Sequence, residues 1–151
     1  MKINEIKICG ITDLAIANFC MDNNADYLGF VSYDNSPRNI SFRDSKNIIA
    51  GLLKPINTVA VTVNTKIDNI KEIEDAGFDY IQCHGSESFD YLATIKKTTN
   101  LKIIKAFGIS SQKDLIKIKS YSDLCDFFYL MQNLMIVKCP VVMQKVLTGI
   151  Y

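Results

Sequence analysis

Three short segments of the chain combine thiol, cationic and hydrogen-bonding side chains at spacings that suit chemistry. The first is Lys7-Ile8-Cys9-Gly10-Ile11-Thr12. On a strand, residues two apart share a face, so Lys7 and Cys9 point the same way. A cation beside a thiol lowers its pKa from the reference of about 8.5, which would suit Cys9 to act as nucleophile or general base. Free cysteine is also among the most buried residue types, and on pattern alone a small apolar side chain at a strand end is the leading reading. The second segment is Tyr33-Asp34-Asn35-Ser36-Pro37-Arg38-Asn39-Ile40. Pro37 stiffens it, and Arg38 can hold a carboxylate or phosphate through two parallel hydrogen bonds. Its plainer reading is a polar turn with a solvated arginine. The third is Asp79-Tyr80-Ile81-Gln82-Cys83-His84-Gly85, where Gln82 and His84 share a face. His84 is the single histidine of the chain, and a lone histidine is usually a structural hydrogen-bonding residue. Asn64 and Lys105 are weaker candidates. Five strands nevertheless end in polar groups that could face one cavity, and this convergence weighs more than any member.

The elements that must position these groups alternate along the chain. Apolar runs predict strands at Glu5–Cys9, Asp26–Val31, Asn57–Val63, Asp79–Cys83, Lys102–Phe107 and Asp123–Phe128. Amphipathic stretches predict helices at Asp13–Met21, Phe42–Leu53, Asp68–Ala76, Phe89–Lys97 and Lys113–Ser120. Thr12, Ser41, Ser88 and Ser111 stand where N-caps are expected, and Gly77 where a left-handed helix stop is expected. Strict β-then-α alternation implies a parallel sheet. Two weak repeats, Ala25-Asp26-Tyr27-Leu28 with Phe78-Asp79-Tyr80-Ile81 and Ile8-Cys9-Gly10-Ile11-Thr12 with Ala106-Phe107-Gly108-Ile109-Ser110, favour a (β/α)8 barrel over an open sheet.

The chain has 151 residues, 48% hydrophobic and 22% charged, and a net charge of +1. That suits one globular domain and makes no electrostatic case for nucleic acid or a membrane surface as partner. Cys9, Cys20, Cys83, Cys125 and Cys139 form no C-x-x-C pair, which argues against a zinc site or disulfide framework and fits a reducing cytoplasm. No stretch suits a signal peptide or a membrane span. After Phe128 the character changes: the segment YLMQNLMIVKCPVVMQKVLTGIY has no acidic residue and no clear period.

The linked motifs KICGIT, ADYLGFV, SPR-x-I, VAVTVN, DYIQCHG and IIKAF resemble, in order and spacing over residues 2 to about 128, the phosphoribosylanthranilate isomerases of tryptophan biosynthesis. KICGIT and SPR speak against other phosphate-binding barrels such as indole-glycerol-phosphate synthase or thiamine-phosphate synthase. The resemblance implies a (β/α)8 TIM barrel of the ribulose-phosphate-binding type, with only about the first five to six βα units present. It implies an isomerase needing no metal or organic cofactor. Such an enzyme converts N-(5'-phosphoribosyl)anthranilate to 1-(2-carboxyphenylamino)-1-deoxyribulose 5-phosphate. By position, Cys9 matches the family's general base, Arg38 the residue holding the anthranilate carboxylate, and His84 a residue lining the substrate site. Gln82, Lys7 and Asn64 join them as candidate substrate-binding residues. Cys83 stands where the family usually has leucine, and Ser32 where an aromatic is common.

The family's general acid, an aspartate ending the sixth strand in an L-F-D-A-K-like motif, is absent, as are the glycine-rich phosphate loops of the seventh and eighth strands. Asp126 matches only the start of the sixth strand. The expected organisation is a partial barrel over residues 1–128 and an aberrant tail over residues 129–151 that is translated out of frame. Back-translated with one permitted choice of synonymous codons and read from the last base of the Phe128 codon, the tail yields LFDAKPNDSKMPGGNAKSFDWNI. The Met131-Gln132 and Met143-Gln144 pairs force alanine codons in that frame whichever codons are chosen. The alternative is a non-catalytic remnant of the enzyme.

Overall fold

The computed structural model describes residues 5–132 and 148–150. The described strands are β1 (Ile6–Cys9), β2 (Tyr27–Ser32), β3 (Asn57–Thr62), β4 (Tyr80–Cys83), β5 (Lys102–Ile109), β6 (Phe127–Gln132) and β7 (Thr148–Ile150). The helices are α1 (Leu14–Asp22), α2 (Phe42–Ala50), α3 (Ile70–Asp75), α4 (Phe89–Thr98) and α5 (Gln112–Lys119), with a 3₁₀ turn at Ile67–Asn69 leading into α3. One parallel sheet runs in the order β6-β5-β4-β3-β2-β1-β7.

Register is fixed by an aspartate just before each even-numbered strand. Asp26 Oδ2 accepts from the Ile6 amide, Asp79 Oδ2 from the Thr58 amide and Asp126 Oδ2 from the Ile103 amide, each at 2.8 Å. The aspartate amides return hydrogen bonds to the Ile6, Thr58 and Ile103 carbonyls. This is the physical content of the Asp-Tyr repeat in the sequence, and Asp126-Phe127 is its third instance.

The aromatic after each aspartate points to the opposite face from the helices. Tyr27 and Tyr80 ring centroids are 5.5 Å apart, and Tyr80 and Phe127 are 5.9 Å apart. In each pair the two strands have another strand between them, and flat strands so separated lie about 9.6 Å apart. Ring contact across the gap therefore requires the sheet to curl. Tyr27, Val59, Val61, Tyr80, Ile104, Ala106 and Tyr129 fill the concave face. Leu28, Phe30, Ala60, Ile81, Cys83 and Ile103 meet the helices through Ala17, Ile48, Ile70, Ile73, Leu92 and Ile95 on the convex face.

Caps stop and start the helices largely as expected. The Ser41 and Ser88 hydroxyls accept from Asp44 and Tyr91 amides, Ser111 and Asp114 form a reciprocal capping box, and Gly77 has φ +91°. At α1 the cap is Asp13 rather than Thr12, because the carboxylate reaches both the Ala15 and Ile16 amides. The expected third helix begins instead as the 3₁₀ turn. The sixth strand lies four residues later than its pattern suggested, because residues 121–124 form a turn that packs Tyr121 and Leu124 on the convex core. β6 continues to Gln132, and Thr148–Ile150 pairs with Ile6–Ile8. The rest of the expected aberrant tail lies outside the described residues.

Thr58 is buried, and Asp79 Oδ2 accepts from both its amide and its hydroxyl at 2.8 Å. Asp79→Ala orphans the Thr58 amide and leaves its hydroxyl only the Gly77 carbonyl at 3.4 Å, and is expected to destabilise the fold by about 2 kcal/mol. Asp79→Asn keeps an acceptor and should cost less. Urea unfolding midpoints of the two variants check this ordering.

Candidate functional site

Lys7 and Cys9 alternate with Ile6 and Ile8 and face the concave side, as the strand period requires. Glycine at position 29 of β2 makes room for them. A Cβ there would lie 3.0 Å from Cys9 Sγ and 3.2 Å from Lys7 Nζ. Lys7 is only 2% exposed. Burial holds its ammonium below the ordinary lysine pKa, and attraction and a hydrogen bond to Cys9 oppose that shift. The ammonium is thus held dry beside the sulfur at the end of β1.

Arg38 reaches the same strand end from the loop after β2. That loop is closed by Ser36 N–H to the Tyr33 carbonyl, Asn39 N–H to the Ser36 carbonyl and Ile40 N–H to the Val31 carbonyl. Asn39 Oδ1 also accepts from the Tyr33 amide. So braced, Arg38 lays its chain across Gly10 and donates from Nη1 to the Cys9 carbonyl at 2.9 Å. Gly10 has φ +90°, and a Cβ there would lie 2.4 Å from Arg38 Cδ. Glycine is therefore required twice over, by backbone conformation and by close approach.

Gln82 and His84 project from β4 into the concavity, with Gln82 Nε2 3.0 Å from His84 Nδ1. The His84 ring lies 6.1 Å from that of Tyr129. Burial lowers the His84 pKa; Lys7 and Lys105 lower it further, and Glu87 opposes them. The imidazole is thus biased toward its neutral form, able to accept at one nitrogen and donate at the other.

The convergence of five strand ends on one cavity is corrected at two of them. Lys105 shares the convex face with Ile103, and its Nζ donates to the Cys83, Gly85 and Ala106 carbonyls at 3.2, 2.8 and 3.0 Å. Asn64, with φ +48°, turns its Oδ1 to the Ser86 amide and ties the loop after β3 to the loop after β4. Cys83 also lies on the convex side, where burial pushes its thiol pKa up. Cys9, Lys7, Arg38, Gln82 and His84 remain together on the concave side. Sequence reasoning missed Glu87, which lies 6% exposed in the β4–α4 connection and accepts from the Asn64 and Gly85 amides. Its position one residue before the Ser88 cap resembles an ordinary acidic helix start.

An imidazole whose pKa is lower folded than unfolded binds its proton more readily when unfolded. The stability it contributes is complete above about 6.5 and is lost as pH falls from there toward the folded value. Urea midpoints are expected to fall more for the wild type than for His84→Asn between about pH 7.5 and about pH 5.5. Parallel profiles for the two proteins would contradict the shift.

Residues 6–133 match the family model described as N-(5'-phosphoribosyl)anthranilate (PRA) isomerase. The chain is 39% identical to N-(5'-phosphoribosyl)anthranilate isomerase of Aquifex aeolicus, over 82% of this chain and 61% of that protein. It is 38% identical to the Trichodesmium erythraeum enzyme of the same name, over 81% of this chain and 54% of that protein. Among solved structures it resembles phosphoribosyl anthranilate isomerase of Thermotoga maritima, with a TM-score of 0.79 and 30% identity over 88% of this chain and 63% of that one. A phosphoribosyl anthranilate isomerase in complex with reduced 1-(o-carboxyphenylamino)-1-deoxyribulose 5-phosphate gives a TM-score of 0.78 at 30% identity, over 87% of this chain and 66% of that one. The chain thus spans 54–61% of the length of these curated relatives. With the barrel-type sheet, the motifs at its strand ends and this match in hand, the chain belongs to the N-(5'-phosphoribosyl)anthranilate isomerase family.

Proposed function

We propose that this chain is part of an N-(5'-phosphoribosyl)anthranilate isomerase of tryptophan biosynthesis, acting on phosphoribosylanthranilate as a cytoplasmic enzyme without a cofactor. The observation that carries the reading is the meeting of Lys7, Cys9 and Arg38 at one strand end, with Arg38 anchored on the Cys9 carbonyl at 2.9 Å. In the reaction, protonation of the ribose ring oxygen breaks its bond to C1' and leaves a Schiff base. Removal of the C2' proton then gives an enolamine, which tautomerises to the ketone. Cys9 is the base for the second step, with the Lys7 ammonium beside it. Arg38 spends one N–H on the protein and keeps the rest of its donor fork for the anthranilate carboxylate. His84 and Gln82 line the cavity where the sugar must sit, while Asn64 supports its rim.

The chain as it stands has no carboxylate for the first step at the end of β6. We propose that residues from about Tyr129 onward are read in the wrong frame. The run of T bases that can encode Phe127-Phe128-Tyr129 is a natural site for a slip. Adding one T there replaces Tyr129-Leu130-Met131 by Leu-Phe-Asp under one permitted choice of codons. Met131 packs on the concave cluster, so the restored aspartate would face the site. A restored frame that lacks the P-G-G segment, or stops before glycine-rich seventh and eighth strands, ends this reading. The reading also requires isomerase activity from the restored protein and none detectable from the 151-residue form, which in that form is the non-catalytic remnant.

In the restored protein, Cys9→Ser is expected to leave the KM nearly intact and lower kcat by about 10²–10⁴-fold. Unchanged kcat removes Cys9 from the mechanism. Arg38→Ala should mainly weaken binding of ligands that bear the anthranilate carboxylate. Equal wild-type affinity for a ligand lacking that carboxylate contradicts the clamp.

A further inference from the structure

The concave site rests on a buried ion pair on the other side of the sheet. Glu87 Oε2 and Lys105 Nζ are 3.1 Å apart, with side chains 2% and 4% exposed. They flank a cleft of about 270 Å³ between the β4–α4 and β5–α5 connections. Neither points into the concavity, yet between them they hold the peptide groups on both sides of His84. Lys105 Nζ donates to the Cys83 carbonyl, just before the histidine, and to the Gly85 carbonyl, just after it. Glu87 Oε1 accepts from the Gly85 amide at 3.0 Å and from the Asn64 amide at 2.8 Å. The His84 amide donates to the Thr62 carbonyl at 2.8 Å. The histidine backbone is therefore pinned from β3, from β5 and from the start of the α4 connection.

We propose that Glu87 and Lys105 form a positioning pair that sets the pose of His84 toward the concave site. A loop that only had to be closed would need acceptors and donors, not charges. Burying a carboxylate and an ammonium together carries a large desolvation cost, which good geometry and further hydrogen bonds must offset. Here all three ammonium protons meet carbonyls, and Glu87 Oε1 meets two amides. The pair also acts on the imidazole through charge: Lys105 disfavours the imidazolium and Glu87 favours it. Among the described residues, the other charged group acting on the ring is Lys7 of β1, while Gln82 and Tyr129 lie beside it. The proposal rests on the isomerase reading only in taking the concave face as the substrate side.

His84 is the sole histidine, so a histidine-labelled sample of the 151-residue chain gives one imidazole signal set in NMR. The wild-type signal should titrate below the ordinary value and carry the ring-current shift of Tyr129. Glu87→Gln keeps an acceptor for the two amides but removes the charge; its imidazole midpoint should fall below that of the wild type. Lys105→Met should raise it. Each single variant leaves one buried charge unpaired and is prone to unfold, so the double variant, E87Q with K105M, carries the decision. There the charges cancel and the midpoint should return toward the wild-type value. With the carbonyl clamps on both sides of His84 gone, however, the ring-current shift should collapse. A double variant that keeps the wild-type ring-current shift overturns the proposal. Because none of these readouts is catalytic, loss of the isomerase reading through an unaffected Cys9→Ser enzyme would leave this result standing, and the reverse also holds.

Discussion

The aspartate before each even-numbered strand anchors the start of the strand before it, and much of the molecule follows from that. Asp26, Asp79 and Asp126 each accept one backbone amide from β1, β3 or β5 and return one to the same residue's carbonyl. A parallel sheet has no hairpin turn to set its register. A slip of one residue would exchange its concave and convex side chains throughout a strand. A carboxylate at the strand entry opposes that slip because moving it by one residue leaves both partners unpaired. The residue after each aspartate is then committed to the concave face, and there it is always aromatic: Tyr27, Tyr80 and Phe127.

From that floor the concave face builds upward in layers drawn from alternate strands, as closed (β/α)8 barrels do. Tyr27, Tyr80 and Phe127 form the lowest layer. Gly29, Gln82 and Tyr129 form the next from the same strands, and β1 and β5 supply Cys9 and Ala106 at intervening height. Chemistry enters where a layer has a gap. The missing side chain at Gly29 admits Cys9 and Lys7, and the missing one at Gly10 admits Arg38. The site is thus a pattern of absent side chains as much as of present ones. Its polar groups stand on strands braced from below by packed aromatics.

Much of this was legible in the chain, for identifiable reasons. Strands β1 to β4 fall within about one residue of their apolar runs, since a buried parallel strand must be apolar on both faces. That same property hid which face is which. Nothing local distinguishes Lys105, on the convex side, from Gln82, on the concave side, because both interrupt apolar runs. Tyr121, Leu124 and Cys125 are apolar because a turn packs them on the helix-side core, and so they imitated the start of β6. Glu87 was invisible because two of its partners, the Asn64 amide and Lys105, come from other parts of the chain, and the third is the nearby Gly85 backbone. Cys9, Arg38 and His84 stood out because each belongs to a motif with a turn-forming glycine or proline beside it.

The layer count also bears on the end of β6. Along β4 the concave residues run Tyr80, Gln82 and then His84. Along β6 they run Phe127, Tyr129 and then Met131, with Tyr80 and Phe127 touching in the lowest layer and His84 and Tyr129 within ring contact above it. Position 131 therefore belongs to the same layer as His84, one step above Cys9. A methionine there presents a thioether, a weak acceptor with no proton to give, so the position level with the histidine carries no acid. In the frame proposed above, one permitted set of codons puts aspartate at this position, on the concave side at the height of the histidine, and leaves Phe127 and Phe128 unchanged.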